Sequence, residues 1–202
     1  MAYHIYQTKA FILGGINVGE DSRLIRFFTH DLGVVQAKAQ GVRKLSSKNR
    51  AHLQDFSYGS FSYVYGKSGW RLVGAEKDEG FFVMDGLGES QEGKENLKTT
   101  AKLLALLDRL SPGEEANVTL FTDFESGIQF LFREHLSEQE RKSFETLLAS
   151  KILFHLGYWD KAKDEQEFSY PENFSLEKLQ IASSDRRRMN TKIYHALGYS
   201  QL

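Results

Sequence analysis

Apolar and polar positions repeat with two different periods along this chain, and the change falls near residue 78. Before it the repeats are short. Lys9-Ala10-Phe11-Ile12-Leu13 is an apolar run closed by Gly14-Gly15, and Ser22–Thr29 is dense in β-formers and stops at His30-Asp31-Leu32-Gly33. Val34–Ala39 follows, then Gly41 and a polar loop through Asn49. Phe56–Tyr65 alternates in stretches, Gly66-Lys67-Ser68-Gly69 reads as a hairpin turn, and Trp70–Ala75 is the returning strand. Five short strands in so few residues predict a small closed sheet, a five-stranded Greek-key barrel of the OB type.

Beyond Ala75 the texture changes. Gly80, Gly86, Gly88 and Gly93 punctuate an acidic stretch that reads as a linker over 79–93, with Phe81-Phe82-Val83-Met84 packing at a domain join. The period then becomes helical. Leu97, Ala101, Leu104 and Leu107 predict one helix ending near Ser111-Pro112-Gly113, and Leu120, Phe121, Phe124, Ile128 and Leu131 predict a second. A third spans Ser137–Leu156, opened by a capping box of Ser137 and Glu140, with Phe144, Leu147, Leu148, Ile152 and Leu156 on one face. A last short helix is expected from Ser184 or Asp185 to Leu197, with Gly198 as its C-cap. The fold class is therefore α+β: an OB-type barrel over 1–78, then an all-α domain over 79–202.

Charge sharpens that division. The net charge of −1 conceals eleven Lys/Arg against five Asp/Glu in residues 1–77, net +6, and fifteen against twenty-two in residues 78–202, net −7. A basic half suits a polyanion. With no cysteine, disulfides and thiolate metal sites are excluded. No apolar run is long enough to cross a bilayer, and the N-terminus lacks the pattern of a secretory leader, so a cytoplasmic location is expected.

Catalysis finds no foothold. Gly66-Lys67-Ser68 imitates a phosphate loop, but Phe61 occupies the place of the required upstream glycine and a strand follows instead of a helix. Gly14-Gly15 and Gly19 likewise precede a β-rich stretch. The six histidines form no metal-binding pair, and no Gly-x-Ser-x-Gly elbow occurs. No cofactor and no enzymatic activity are expected.

The basic loop is the better lead. No acidic residue falls between Asp31 and Asp55, while Lys38, Arg43, Lys44, Lys48 and Arg50 all do. Cations without neutralising carboxylates suit phosphate contacts. Arg23, Arg26 and Arg71 would add to them where they face outward. Alternation puts Phe61, Tyr63 and Tyr65 on one face of their strand and Phe56, Tyr58 and Val64 on the other. One face must be core, so at most half of these rings are free to stack on bases. Arg186, Arg187 and Arg188 with Lys192 read first as a solvated helix face, and second as an auxiliary nucleic-acid contact or a clamp for an acidic peptide. The same features suit an RNA-binding OB module, or an adaptor whose basic loop meets an acidic protein surface.

Val18-Gly19-Glu20-Asp21-Ser22-Arg23 with Phe28-Thr29 and Gly33 resembles the start of the RecO family of bacterial recombination mediators. So do Ala37-Lys38-Ala39-Gln40-Gly41-Val42-Arg43-Lys44, the stretch Leu53-Gln54-Asp55-Phe56, and Leu72-Val73-Gly74-Ala75-Glu76. Leu156-Gly157-Tyr158 is the best match in the helical half. The resemblance implies an OB barrel joined to a helical domain that binds single- and double-stranded DNA and anneals complementary strands. It implies partners too: RecR, the acidic C-terminal tail of single-stranded DNA-binding protein and, indirectly, RecA, in a nucleoid-associated setting. It places the DNA role on Lys38, Arg43, Lys44 and Lys48. Two departures stand out: the four-cysteine zinc site of many members has no counterpart here, and Asp55 stands where a proline is usual.

Overall fold

A computed structural model describes residues 4–44, 47, 52–77, 90–111, 113–159 and 173–199. They form two compact units: Met1–Leu87 with Ser111–Val118, and Gly88–Leu110 with Thr119–Leu202.

The first unit is a closed barrel of five strands, β1 (Ile5–Val18), β2 (Ser22–Thr29), β3 (Gly33–Ala39), β4 (Tyr58–Gly66) and β5 (Gly69–Lys77), in the order β1-β2-β3-β5-β4. Every neighbouring pair is antiparallel except β3 and β5, which close the barrel in parallel through Ala37–Trp70 and Lys38–Arg71. This is the expected OB-type topology. Period-2 alternation decides what faces in: Val35, Ala37 and Ala39 of β3 line the core, while Gln36 and Lys38 point out. Small side chains (Ala10, Ala37, Ala39) make room for Phe27, Phe61 and Tyr63, whose rings meet at centroid distances of 5.0 and 5.3 Å. Burying each such ring contributes about 1.5–3 kcal/mol.

The first strand is longer than its apolar run predicts. Gly14-Gly15 does not end it; the register slips between Ile12 and Gly14, and the bulge carries β1 on to Val18. Gly33 is required for another reason. Its φ is +70°, and an added Cβ would stand 2.5–2.6 Å from backbone atoms of Gly113 and Glu115. The bare backbone lets segment Ser111–Val118 lie against the barrel, where Val34 N–H donates to the Gly113 carbonyl at 2.8 Å.

The second unit holds α1 (Gln91–Leu110), α2 (Val118–Arg133), α3 (Glu138–His155) and α4 (Leu176–Tyr199). Leu104, Leu107, Phe121, Phe124, Ile128, Phe144, Leu148 and Ile152 form its apolar centre. The capping box opens α3 as predicted: Glu140 N–H donates to the Ser137 hydroxyl, and Ser137 N–H donates to the Glu140 carboxylate. One expectation needs correction. The last helix is no short element: it starts at Leu176 and carries Gly198 inside it, because Leu179 and Ala182 extend its buried stripe backwards. Helix α3 is buried beyond its one apolar face. Ser143, Thr146 and Ser150 are buried as well, each hydroxyl donating to the carbonyl four residues back, so polar residues occupy buried positions without loss. Of the expected linker, Gln91–Gly93 belongs to α1. Phe81-Phe82-Val83-Met84 lies outside the described residues.

Candidate nucleic-acid interface

The outer face of the barrel gathers cations because strand register places them side by side. Lys38 on β3 stands opposite Arg71 on β5, both exposed, and Arg26 on β2 stands opposite Gln36. Arg26 shares its parity with Leu24, away from core residues Ile25 and Phe27, so Arg26, Lys38 and Arg71 lie on the outer side of three consecutive strands. Like charges directly opposed cost a sheet stability, and an anion laid across them removes that cost.

The loop after β3 adds two more. Gly41 turns the chain with φ +71°, and Arg43 and Lys44 follow, both exposed. They are tied to the β1–β2 turn: Arg43 donates from its backbone N–H to the Asp21 carbonyl at 3.1 Å and from Nη1 to the Gly19 carbonyl at 2.9 Å. Lys44 Nζ sits 3.3 Å from the Asp21 carboxylate. The Ser22 hydroxyl and then Lys44 hold that carboxyl below its ordinary pKa. Lys48 and Arg50 lie outside the described residues.

Arg23 has a different setting. It is on the inward parity of β2, at the barrel end, and its side chain is 18% exposed. Nη1 donates to the Leu53 carbonyl at 2.7 Å, and Nη2 donates to the Asp55 carboxylate and, at 3.4 Å, to the Gly15 carbonyl. Its charge is answered within the protein. A cleft of about 480 Å³ opens beside it, between β1–β2 and the loop after β3.

The rings also sort themselves. Phe61 and Tyr63 fill the core, and burial pushes the Tyr63 hydroxyl well above the usual phenol pKa. Tyr58 is buried on the opposite side, against Phe11 at 4.7 Å. Tyr65 is 58% exposed, and its ring meets Trp70 at 4.9 Å, which in turn meets Tyr6 at 5.2 Å. The candidate stacking surface is thus Tyr65 with Trp70 and Tyr6 at the β4–β5 hairpin. Sequence alternation could not find that trio, since Tyr6 joins it only through β1–β4 pairing and Trp70 only through the hairpin.

The second basic cluster belongs to the helical unit. Arg186 Nη1 donates to the Gln139 side-chain oxygen at 2.9 Å, Arg187 and Arg188 are exposed, and Lys192 is half-buried. Among the described residues, no three His, Asp or Glu side chains are grouped to hold a metal ion. Among the same residues, no helix is long and apolar enough to cross a membrane.

The family model for the recombination protein O N-terminal domain matches residues 1–73, which run from the N-terminus into β5. The chain belongs to the RecO family. It is 31% identical over 155 residues to the DNA repair protein RecO of Dehalococcoides mccartyi, a match covering 73% of this chain and 56% of that protein. The RecO protein of Synechocystis is 30% identical over 138 residues, covering 68% of this chain and 46% of the relative. That of Alkaliphilus metalliredigens is 27% identical over 144 residues, covering 71% and 54%. The chain therefore spans about half the length of the curated RecO relatives it matches.

Proposed function

We propose that this chain acts in DNA repair and recombination as a DNA-binding protein whose barrel holds the phosphate backbone. The observation that carries the reading is the register pair Lys38–Arg71, two exposed cations side by side on the barrel wall, with Arg26 on the next strand. Arg43 and Lys44 extend the positive surface, and Lys48 and Arg50 follow them in sequence. Tyr65 and Trp70 offer ring faces for an unpaired base. Family membership supports DNA as the polyanion, since the relatives are named DNA repair proteins. Two strands drawn to one cationic surface repel each other less, so the same surface promotes annealing and needs no nucleotide hydrolysis. RecR, the tail of single-stranded DNA-binding protein and, through them, RecA are the partners the family implies. The helical unit, with Arg186, Arg187, Arg188 and Lys192, is the proposed seat of auxiliary contacts.

The test is fluorescence anisotropy of a labelled mixed-sequence single strand at several salt concentrations. Three or four phosphate contacts give a log K against log salt slope of about −2 to −3, taking about −0.7 per contact. Lys38→Ala with Arg71→Ala should weaken binding and flatten that slope. An annealing assay on two complementary labelled strands should slow in parallel. Absence of salt-dependent binding by the unmodified chain sinks the reading, and stronger binding to a matched RNA strand would redirect it.

A further inference from the structure

We propose that the cleft between the β1–β2 ribbon and the loop after β3 receives one unpaired nucleobase of a bound strand. This inference rests on the proposed nucleic-acid role and adds what the phosphate contacts lack, a means of telling an unpaired strand from a duplex.

The chemistry of the cleft is that of a base site. Val42 and Leu53, both almost fully buried, give its mostly polar lining an apolar part. One wall is the Arg23 guanidinium, which cannot swing out because the carbonyls of Leu53 and Gly15 and the Asp55 carboxylate all accept from it. A planar guanidinium held in place and already neutralised is a poor phosphate anchor and a good stacking platform. Gly15 is what lets it lie there: a Cβ at that position would come within 2.8 Å of the Leu24 carbonyl and 3.1 Å of Arg23 Nε.

Two amides also line the cleft, Asn17 from β1 and Gln54 from the loop. Both are exposed, and neither side chain has a hydrogen-bond partner among the described residues. Each offers a paired donor and acceptor, the combination that reads base edges. Arg43 stands with them, with one Nη1 bond to the Gly19 carbonyl and further N–H groups for a phosphate. None of the lining residues is acidic. Size agrees: about 480 Å³ lies within the roughly 300–1,000 Å³ of small-ligand clefts.

The backbone holds this arrangement under strain. Phe56, next to Asp55, has φ +67°, uncommon for a residue with a side chain. Phe56 N–H donates to the Ile12 carbonyl and Ile12 N–H donates to the Ser57 carbonyl, so the segment bearing Gln54 and Asp55 is pinned to β1. A base inside a duplex has its edge paired and its faces stacked, and reaching this cleft would require extruding it.

The experiment compares the intact 202-residue chain on two single strands of equal length, one with all its bases and one with abasic sites throughout its central half. The base-bearing strand should bind about five- to tenfold more tightly, as one amide-to-base recognition provides, with the same salt slope for both. Asn17→Ala with Gln54→Ala should shrink that preference to what stacking on Tyr65 and Trp70 supplies and leave the slope unchanged; a preference undiminished in the double variant overturns the cleft. Both residues are exposed, so the variant should keep the thermal melt of the parent. Equal binding of the two strands by the unmodified chain overturns the base cleft and leaves the phosphate-binding role standing. Loss of slope in the double variant also overturns it, because the amides would then be acting through the phosphates. Failure of both strands to bind at low salt removes both readings together.

Discussion

The barrel and the helical unit use the same charged residue types for opposite ends. In the helices charge is brought inside and answered there. Lys151, only 5% exposed, places Nζ 3.0 Å from Asp123 Oδ2 and 5.3 Å from the Phe174 ring, while His155 Nε2 reaches the same oxygen at 2.8 Å. Asn96, also buried, donates to the Leu131 carbonyl and accepts from Arg141. In the barrel the core is apolar and, apart from Arg23 with its counter-ion Asp55, cations stand outside, lysine beside arginine across the β3–β5 pairing. The difference separates two meanings of a basic residue. A cation buried against its own carboxylate holds the fold; cations ranged side by side on an exposed sheet surface suit a polyanion, the role proposed for Lys38 and Arg71.

Removing a charge from each place should break that comparison or sharpen it. The largest effect falls in the helical unit. Asp123→Ala strands Lys151 and should cost about 3 kcal/mol, read by urea unfolding of the Trp159 signal in a Trp70→Phe background. The pH dependence has a definite sign. Burial alone would raise the Asp123 pKa, but hydrogen bonds from His155 and Lys151 prevail and hold it below its ordinary 3.8. The stability it contributes is therefore complete above that value and is lost as pH falls through the lowered one. Asp123→Asn should flatten the decline in unfolding free energy between neutral and strongly acid pH.

Next comes a barrel position with no charge at all. Gly33→Ala must accommodate a Cβ against the backbone of Gly113 and Glu115 at positive φ, and should lose about 2–3 kcal/mol in barrel unfolding followed by Trp70 in a Trp159→Phe background. Smaller still in stability, but decisive for function, is the pair Lys38→Ala and Arg71→Ala. The salt slope for DNA binding should become shallower by about 1.4, two contacts at about 0.7 each. The smallest effect is the control. Lys102→Ala removes an exposed partner of Glu145 in the helices and should change stability by less than about 0.5 kcal/mol, with anisotropy titrations unchanged.

What could be read from the sequence was what depends on neighbours along the chain. Strand alternation, the capping box at Ser137 and the apolar faces of the first three helices are local signals, and the barrel followed by helices emerges from them. Local punctuation also misled: Gly14-Gly15 reads as a stop but is a bulge, since a partner strand can absorb an extra residue. In α3, apolar periodicity marks one face and leaves Ser143, Thr146 and Ser150 unassigned; they are buried because each satisfies its own hydroxyl within the helix. The site divides in the same way. Lys38 and the basic loop read as charge without nearby counter-charge in sequence, yet Lys44 meets the Asp21 carboxylate from the β1–β2 turn. That Arg23 turns to Leu53 and Asp55, thirty residues onward, was not legible, because only barrel closure brings them together. Asp55 itself, read only as a departure from the usual proline, proves to be the counter-ion of that arginine.

The barrel's closure has one more consequence. The other strand pairs register over seven or more positions, but β3 and β5 register over two, Ala37–Trp70 and Lys38–Arg71. A cylinder fastened so briefly along one line is expected to open there first, which faster hydrogen exchange of the β3–β5 amides than of the other strand pairs would register. The two cations straddle the same line. A polyanion lying across them would act as a stitch, so that occupancy of the outer wall and the tightness of the cylinder rise together.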